Sequence, residues 1–214
     1  MQQIMTGYFS YKIEHDYGLA PNPFGQYCTL AVCKPTIRNN KNLKLGDWVV
    51  GTGSAQLGNL HHLIFAMQVE GKITLDEYWK DERFQYKKPI LNGSLVQLYG
   101  DNFYHKNPKT GKWIQEESAH TVVDKEEHLE NDTKGKYVLF SENFYYFGSN
   151  SPKIPNEYWD ICNEGRNMKS TSIDTNIADN FVNWLKENFE KGIHGDPINW
   201  KEHSNEHNQT KLKV

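Results

Sequence analysis

The chain of 214 residues contains no hydrophobic run long enough for a membrane helix, which needs roughly 18 or more consecutive apolar residues. Residues 1–11 also lack the charged region followed by an apolar region that marks a secretory signal peptide. Hydrophobic residues make up only 37% of the chain, below the usual globular share. These absences lead us to expect a cytoplasmic protein with no membrane partner.

Cysteine is scarce, with three residues in all, and three thiols cannot all pair with one another. Cys28 and Cys33 lie on one predicted strand, where their odd spacing places them on opposite faces and prevents a shared zinc ion. The nine histidines show no pair at a recognised ligand spacing. The sequence therefore predicts no disulfide and no metal site, and it identifies no cofactor. Cys28 is expected to be a buried packing residue, with a covalent nucleophile as the alternative.

Acidic residues are missing from residues 17–46, although this segment contains four cations: Lys34, Arg38, Lys41 and Lys44. The net charge of the whole chain is nevertheless −3, whereas proteins that coat long duplexes usually have a broadly basic domain. Extensive duplex DNA coating is therefore excluded. A local basic site sized for one phosphate fits the segment better.

Aromatic residues are plentiful, at 13% of the chain with 6 Trp, 12 Tyr and 10 Phe. A core can be built from these fewer, larger side chains, so disorder of the whole chain is excluded. No composition shift divides the chain, and its length suits one domain. We predict a single domain over residues 1–200, followed by a polar, disordered tail over residues 201–214.

Short runs of alternating or β-branched residues predict strands over residues 9–14, 26–33, 48–53, 63–69, 137–140 and 144–147. Thr74 and Glu77 match a capping box, which predicts a short mid-chain helix to about residue 83. A final apolar stripe predicts a C-terminal helix that Asp174 caps and Gly192 ends. The sequence thus predicts an α+β fold: a mixed or antiparallel, partly barrel-like sheet with the C-terminal helix docked on it.

The first candidate site combines a stiff loop over residues 16–25, which contains two prolines, with the basic segment that follows it. Lys34 and Arg38 are suited to neutralise a phosphate, and the arginine offers a planar fork for two oxygens. Asp16 is a candidate proton acceptor, and Asn22 offers both a donor and an acceptor. The alternative is a loop that is simply held by its own turn hydrogen bonds.

A second candidate set follows later in the chain and contains a titratable imidazole, His120, that is suited to proton transfer near neutral pH. The residues grouped with it as substrate contacts are Asp101, Asn102, Trp113 and Ser118. Arg166 follows a glycine turn and is a third candidate phosphate contact. The alternatives are a hydrogen-bonded histidine without a catalytic role and an ordinary surface ion pair.

Several of these segments together resemble the second type of nucleotide modification associated domain. The resemblance is carried by residues 16–24 (DYGLAPNPF), 28–38 (CTLAVCKPTIR), 46–48 (GDW) and 51–54 (GTGS). Further similar segments follow in order, ending with residues 192–197 (GIHGDP), so that the resemblance covers nearly all of residues 1–200. The polar residues of the family's first motif correspond to Asp16, Asn22, Lys34 and Arg38.

The resemblance implies a bacterial or phage protein that acts on nucleotides or on modified bases of DNA. The leading hypothesis is a modification enzyme in which Lys34, Arg38 and Arg166 hold phosphate while Asp16 and His120 transfer protons. One alternative is a non-catalytic reader that stacks a flipped or single-stranded base on Trp48, Trp113 or Tyr146. Another is a protein that captures a nucleotide signal in conflict between phage and host.

Overall fold

The computed structural model describes residues 6–121, 125–163, 165, 168–170 and 173–201. The strands are β1 Tyr8–Lys12, β2 Cys28–Leu30, β3 Trp48–Thr52, β4 Leu63–Gln68, β5 Gly71–Thr74, β6 Tyr104–Lys106, β7 Trp113–Gln115, β8 Tyr137–Ser141, β9 Phe144–Tyr146, β10 Met168–Lys169 and β11 Gly192–Ile193. The α-helices are α1 Pro35–Arg38, α2 Leu75–Lys80, α3 Leu95–Leu98, α4 Lys125–Lys134 and α5 Thr175–Asn188. Short 3-10 helices span Glu82–Lys87, Ala119–Thr121, Gly148–Asn150 and Asn156–Ile161.

The largest sheet has six strands in the order β10-β1-β3-β4-β9-β11. Its β1–β3 and β9–β11 pairs are parallel and its other pairs are antiparallel. Alternate side chains leave opposite faces of a strand, so Trp48 and Val50 pack on the side covered by α5, whereas Val49 packs on the other side. Both faces of this sheet are therefore buried.

A smaller antiparallel sheet, in the order β2-β8-β5, covers the second face. Cys28 and Leu30 of β2 and Leu139 of β8 share a core cluster with Phe9 and Val49 of the large sheet. A two-stranded ribbon of β6 and β7 lies outside these two sheets. The loop after β1 and the end of β2 consequently meet at one edge of this interface, where the candidate site is found.

The predicted α+β class, the mixed sheet, the mid-chain helix and the C-terminal helix are confirmed. The large sheet is not closed into a barrel. Within the described residues, helices that combine the length and apolar character needed to cross a bilayer are absent. Residues 202–214, most of the predicted tail, lie outside the described residues, and the single-domain assignment stays a prediction.

The predicted capping box at the start of α2 is confirmed. The Thr74 hydroxyl accepts from the Glu77 amide at 3.2 Å, and the Glu77 carboxylate accepts from the Thr74 amide at 2.8 Å. Two otherwise unpaired amides at the helix start are thereby satisfied. The α-helix ends at Lys80, and Asp81 then caps the 3-10 helix Glu82–Lys87.

The prediction that Cys28 and Cys33 share one strand is wrong, because β2 ends at Leu30. The chain leaves the sheet through two residues with left-handed backbone conformation, Cys33 at φ 54° and Lys34 at φ 42°. Pro35 then begins α1, where its fixed φ suits the first helical turn and its missing N–H costs nothing. The relative directions of the two thiols cannot therefore be derived from strand alternation.

Helix α5 is positioned by its amino-terminal cap, as the sequence predicts. The Asp174 carboxylate accepts from the amides of Asn176 at 2.9 Å and Ile177 at 3.2 Å. The helix buries Ala178, Phe181, Val182 and Leu185 and ends at Asn188. It stops before Gly192, which instead begins β11 beside β9.

Replacing Asp174 with Ala is expected to lower the free energy of unfolding by about 0.5–2 kcal/mol, because the cap hydrogen bonds are lost. Urea denaturation at neutral pH measures this change. Glu187→Ala is the control, since it removes the same charge from an exposed position of the same helix without a capping role. Equal stability of the two variants would contradict a capping contribution.

Candidate functional site

A cavity of about 310 Å³ opens at the sheet edge described above. Its walls come from β1 and the loop that follows it, from the turn after β2, and from the 3-10 helix that contains His120. The lining residues are Tyr11, Ile13, Glu14, His15, Tyr17, Leu19, Ala20, Cys33, Lys34 and His120. Three chain segments that are distant in sequence thus supply aromatic, cationic, thiol and imidazole groups to one concave surface.

The left-handed turn formed by Cys33 and Lys34 places both residues on the cavity wall. Two consecutive residues with a Cβ in this conformation cost backbone energy, on the order of 1–3 kcal/mol each. The surrounding structure holds the turn, since the Cys33 amide donates to Asp132 Oδ1 at 2.7 Å and the Cys33 carbonyl accepts from Arg38 Nε at 2.7 Å. Strain that is retained in this way is common at binding and catalytic sites.

Lys34 supplies a cation to the cavity. Its Nζ donates to the Lys12 carbonyl at 3.2 Å and lies 4.9 Å from the centre of the Tyr11 ring. Burial lowers the pKa of Lys34. An ammonium group has three N–H donors, and the structure assigns one of them among the described residues, so Lys34 retains the capacity to bind an anion.

Tyr11 lies beneath Lys34 and is 1% exposed. Its hydroxyl has no hydrogen-bond partner among the described residues, although it is buried. Burial raises the pKa of Tyr11, which keeps the hydroxyl protonated. An unpaired buried hydroxyl costs free energy, so a ligand atom that pairs with it recovers that cost on binding.

Cys33, His120 and Asp132 form a cluster at the cavity wall, each offering one ligand atom within 4.8 Å of the others. His120 Nε2 lies 3.2 Å from Asp132 Oδ2, and the Tyr104 hydroxyl donates to the same oxygen at 3.0 Å. Burial opposes ionisation of Asp132, but its contacts with His120 and the Cys33 amide outweigh burial and lower the pKa of this carboxyl. Burial, reinforced by the Asp132 charge, raises the pKa of the Cys33 thiol to about 12.

Stacked rings also border the cavity, since His15 and Tyr17 line it. The rings of His15 and Tyr17 are nearly parallel, with centroids 6.4 Å apart, and Tyr17 stacks on Tyr99 at 5.4 Å. Trp200 continues the stack beyond Tyr99 at 6.5 Å. Flat aromatic faces of this kind are suited to contact a planar heterocycle.

Of the sequence-predicted site residues, Lys34 and His120 line the cavity together. Arg38 does not, because its side chain is 0% exposed and lies in the core. Four of its five N–H groups donate to backbone carbonyls, those of Cys33, Asp132, Gly135 and Tyr137. These contacts fix the left-handed turn from behind, so Arg38 is absent from the phosphate-binding surface that the sequence assigned to it.

Asp16 lies next to the lining residues His15 and Tyr17 but is itself buried. Its carboxylate accepts from the Tyr146 hydroxyl at 2.7 Å and from the Ile198 amide at 3.2 Å, and burial raises its pKa. Asp16 and Asn199 also exchange two hydrogen bonds, at 2.7 and 2.9 Å. Asp16 therefore joins the loop after β1 to the C-terminal segment, where the Trp200 indole donates to the Tyr17 carbonyl at 2.9 Å.

Asn22 and Asp101 belong to a separate buried network around Lys87. Lys87 Nζ donates to the side chain of Asn22 at 2.7 Å and to its backbone carbonyl at 3.0 Å. Asp101 accepts from Thr29 Oγ1 at 2.6 Å and from the Tyr78 hydroxyl at 2.7 Å. Burial lowers the pKa of Lys87 to about 8 and raises that of Asp101. These groups hold the loop to the smaller sheet and do not line the cavity.

The other predicted contacts also lie away from the cavity lining. Asn102 is buried and donates to the carbonyls of Tyr78 and Phe84, and Ser118 is buried as well. Trp113 is half-buried in β7 beside Lys106. Among the proposed stacking residues, Trp48 and Tyr146 are buried in the core. Arg166 lies outside the described residues.

Sequence reasoning missed three groups of the cavity: the Cys33 thiol, the Tyr11 hydroxyl and the Asp132 carboxylate behind them. Asp132 falls 99 positions from Cys33, so no local spacing could connect the two residues. Cys33 immediately precedes the predicted phosphate contact Lys34, and this adjacency was the one available signal. This signal was not used, because strand alternation was taken to place Cys28 and Cys33 on opposite faces of one strand.

Comparison with known proteins identifies the family. A family model described as nucleotide modification associated domain 2 matches residues 5–204. No curated protein and no solved structure matches the chain. The match extends over nearly the whole chain, from before β1 to beyond the Trp200 that stacks next to the cavity, and so this chain belongs to the nucleotide modification associated domain 2 family.

Proposed function

We propose that the cavity binds a nucleotide or a single modified nucleobase and that the protein is an enzyme that modifies it. The observation that carries this proposal is the position of Lys34, whose cation faces a cavity bordered by the flat rings of His15 and Tyr17. The family to which the chain belongs is associated with nucleotide modification, which supports the same class of substrate.

The cavity suits such a ligand in size and in the arrangement of its groups. Its volume of about 310 Å³ lies at the lower end of ordinary small-molecule sites. Lys34 contacts a phosphate in this proposal, while the heterocycle lies against the ring of His15, which ends the stack formed with Tyr17 and Tyr99. The Tyr11 hydroxyl donates to a polar atom of the ligand. The reacting atom then lies beside Cys33 and His120, which bring a thiol and an imidazole next to each other.

Binding is tested by isothermal titration calorimetry with nucleosides, mononucleotides and short oligonucleotides that contain natural or modified bases. We expect Lys34→Met to raise the Kd of phosphorylated ligands by about 5- to 150-fold, because a charged hydrogen bond worth about 1–3 kcal/mol is lost. Nucleosides, which lack the phosphate, are expected to bind the variant and the wild-type protein equally well. Methionine retains the apolar stem over the Tyr11 ring and so limits packing effects.

Lys41→Met provides the matched control, since Lys41 lies in the same acid-free segment but is exposed and does not line the cavity. Its Kd values are expected to equal those of the wild-type protein. Failure of every ligand in the panel to bind, or equal loss of affinity in both variants, would contradict the proposal.

An enzyme is distinguished from a reader by the fate of the ligand. We expect mass spectrometry of the incubated ligand to show a species of changed mass that His120→Asn does not produce, because His120 is the cavity imidazole that lies beside the Cys33 thiol and the Asp132 carboxylate. Recovery of every bound ligand intact would instead support the non-catalytic alternatives, a reader of a single base or a protein that captures a nucleotide.

A further inference from the structure

We propose that Cys33, His120 and Asp132 bind one zinc ion at the cavity wall. The three side chains come from the turn after β2, from the 3-10 helix Ala119–Thr121 and from α4. Their ligand atoms already lie within 4.8 Å of one another before any metal is added. Such separations are compatible with ligands that share one tetrahedral ion at about 2.0–2.3 Å from each.

The donor set favours zinc over harder cations. A thiolate, an imidazole and a carboxylate are the three ligand types that zinc commonly uses, and the sulfur disfavours magnesium and calcium. The two anionic ligands together balance the charge of the divalent ion. Formation of the zinc–sulfur bond displaces the thiol proton to solvent, so the exchange of proton for metal is balanced.

Contacts that leave the Cys33 thiol unused hold Cys33 and Asp132 in place, and His120 Nε2 already lies against the Asp132 carboxylate. The Cys33 amide donates to Asp132 Oδ1, which orients the carboxylate and leaves Oδ2 directed toward His120. The Tyr104 hydroxyl donates to Oδ2 from the other side. Arg38 holds the backbone of two of the ligand residues, since it donates to the carbonyls of Cys33 and Asp132. Outer contacts of this kind hold metal ligands in position and are important for metal affinity.

Three protein ligands leave one position of a tetrahedral ion open, which is the arrangement of catalytic rather than structural zinc sites. Cys33 and His120 line the cavity, whereas Asp132 lies behind them, so the open position is on the cavity side. A water molecule or an atom of the ligand would occupy it. The inference concerns metal binding by the protein alone and holds whether or not the proposed nucleotide is the substrate.

The full chain, freed of metal by a chelator, is titrated with Zn²⁺ and separately with Co²⁺. We expect one equivalent of each to bind, and we expect the cobalt protein to show a sulfur-to-metal charge-transfer band and the intense visible absorption of a four-coordinate ion. Absence of stoichiometric binding by the wild-type protein would overturn the inference. So would a cobalt spectrum without the thiolate band.

Variants then assign the ligands. Cys33→Ser is expected to abolish the charge-transfer band, and Cys33→Ser and His120→Asn are each expected to weaken Zn²⁺ binding by more than about 10- to 100-fold, the loss typical of an outer contact. Cys162→Ser and His105→Asn are the controls, since neither residue belongs to the cluster. Equal affinity of all four variants would overturn the assignment.

Asp132→Asn tests the carboxylate while keeping an oxygen that can accept the Cys33 amide hydrogen bond, so the turn retains its support. It is expected to reduce Zn²⁺ affinity while retaining the thiolate band. Retention of wild-type affinity would remove Asp132 from the site. Because these titrations contain no nucleotide, a negative result leaves the proposed function standing, and failure of nucleotide binding leaves the metal site standing.

Discussion

Replacing Arg38 with Met is expected to lower the free energy of unfolding by about 3–5 kcal/mol, which is the scale on which breaking a buried charged network destabilises a domain. The guanidinium is 0% exposed, and its donors serve four backbone carbonyls between the turn after β2 and the start of β8. Methionine fills part of the volume but leaves these acceptors without their partner, and each buried unsatisfied group costs about 1–3 kcal/mol. Urea denaturation measures the loss.

Arg83→Met is the matched control for this substitution. The Arg83 side chain is 46% exposed and pairs with Asp81 at 2.7 Å, a surface ion pair that contributes about 1 kcal/mol or less. The structural role assigned to Arg38 would be contradicted if the two variants unfolded at the same urea concentration. A phosphate-binding role, as the sequence suggested, predicts the reverse pattern: unchanged stability with reduced nucleotide affinity.

The stability of the wild-type protein is expected to fall between pH 9 and 12 because of Cys28. This thiol is 0% exposed between the two sheets, and burial raises its pKa from 9.0 to about 12. In that range the unfolded chain releases the thiol proton while the folded chain retains it, so rising pH favours unfolding. Three pKa units at about 1.36 kcal/mol each correspond to about 4 kcal/mol over the full range.

Cys28→Ala removes this contribution, so its free energy of unfolding is expected to fall less steeply with pH than that of the wild-type protein. Urea denaturation at pH 8, 9, 10 and 11 gives the free energy of unfolding of both proteins, and its fall from pH 8 to pH 11 is expected to be about 3 kcal/mol larger for the wild-type protein. Removal of the sulfur also lowers the free energy of unfolding through lost packing, but that loss does not depend on pH. The difference in pH dependence between the two proteins therefore reports the ionisation of Cys28 alone. Parallel slopes would show that Cys28 ionises as readily in the folded chain as in the unfolded one.

Much of the fold follows from local patterns. Short apolar runs predicted β3 and β4, the capping box predicted the start of α2, and the apolar stripe with Asp174 predicted α5. Each of these signals involves only residues that are close together in sequence. It can therefore be recognised without knowledge of the tertiary contacts. The end of β2 was not predicted, because left-handed conformations at Cys33 and Lys34 are unusual for residues with side chains.

The candidate site was only partly accessible to the same reasoning. The acid-free segment drew attention to Lys34, which lines the cavity, but charge alone does not distinguish such a cation from one that satisfies buried carbonyls, as Arg38 does. Lys41 and Lys44 are exposed and border a different hollow. Only the tertiary fold brings Asp132 and Tyr11 to the site. Their spacing in the sequence therefore could not predict it.

The bonds between Asp16 and Asn199 and between Trp200 and Tyr17 each join positions 183 residues apart. During synthesis, the six-stranded sheet can pair most of its strands well before these partners exist, whereas the loop with Tyr17 is fixed only after Trp200 has emerged from the ribosome. Contacts between residues so far apart in sequence also form slowly as a rule, because the chain between them must first be brought together. A nascent chain is therefore expected to form most of its sheet before the loop with Tyr17 makes its final contacts with residues 199 and 200.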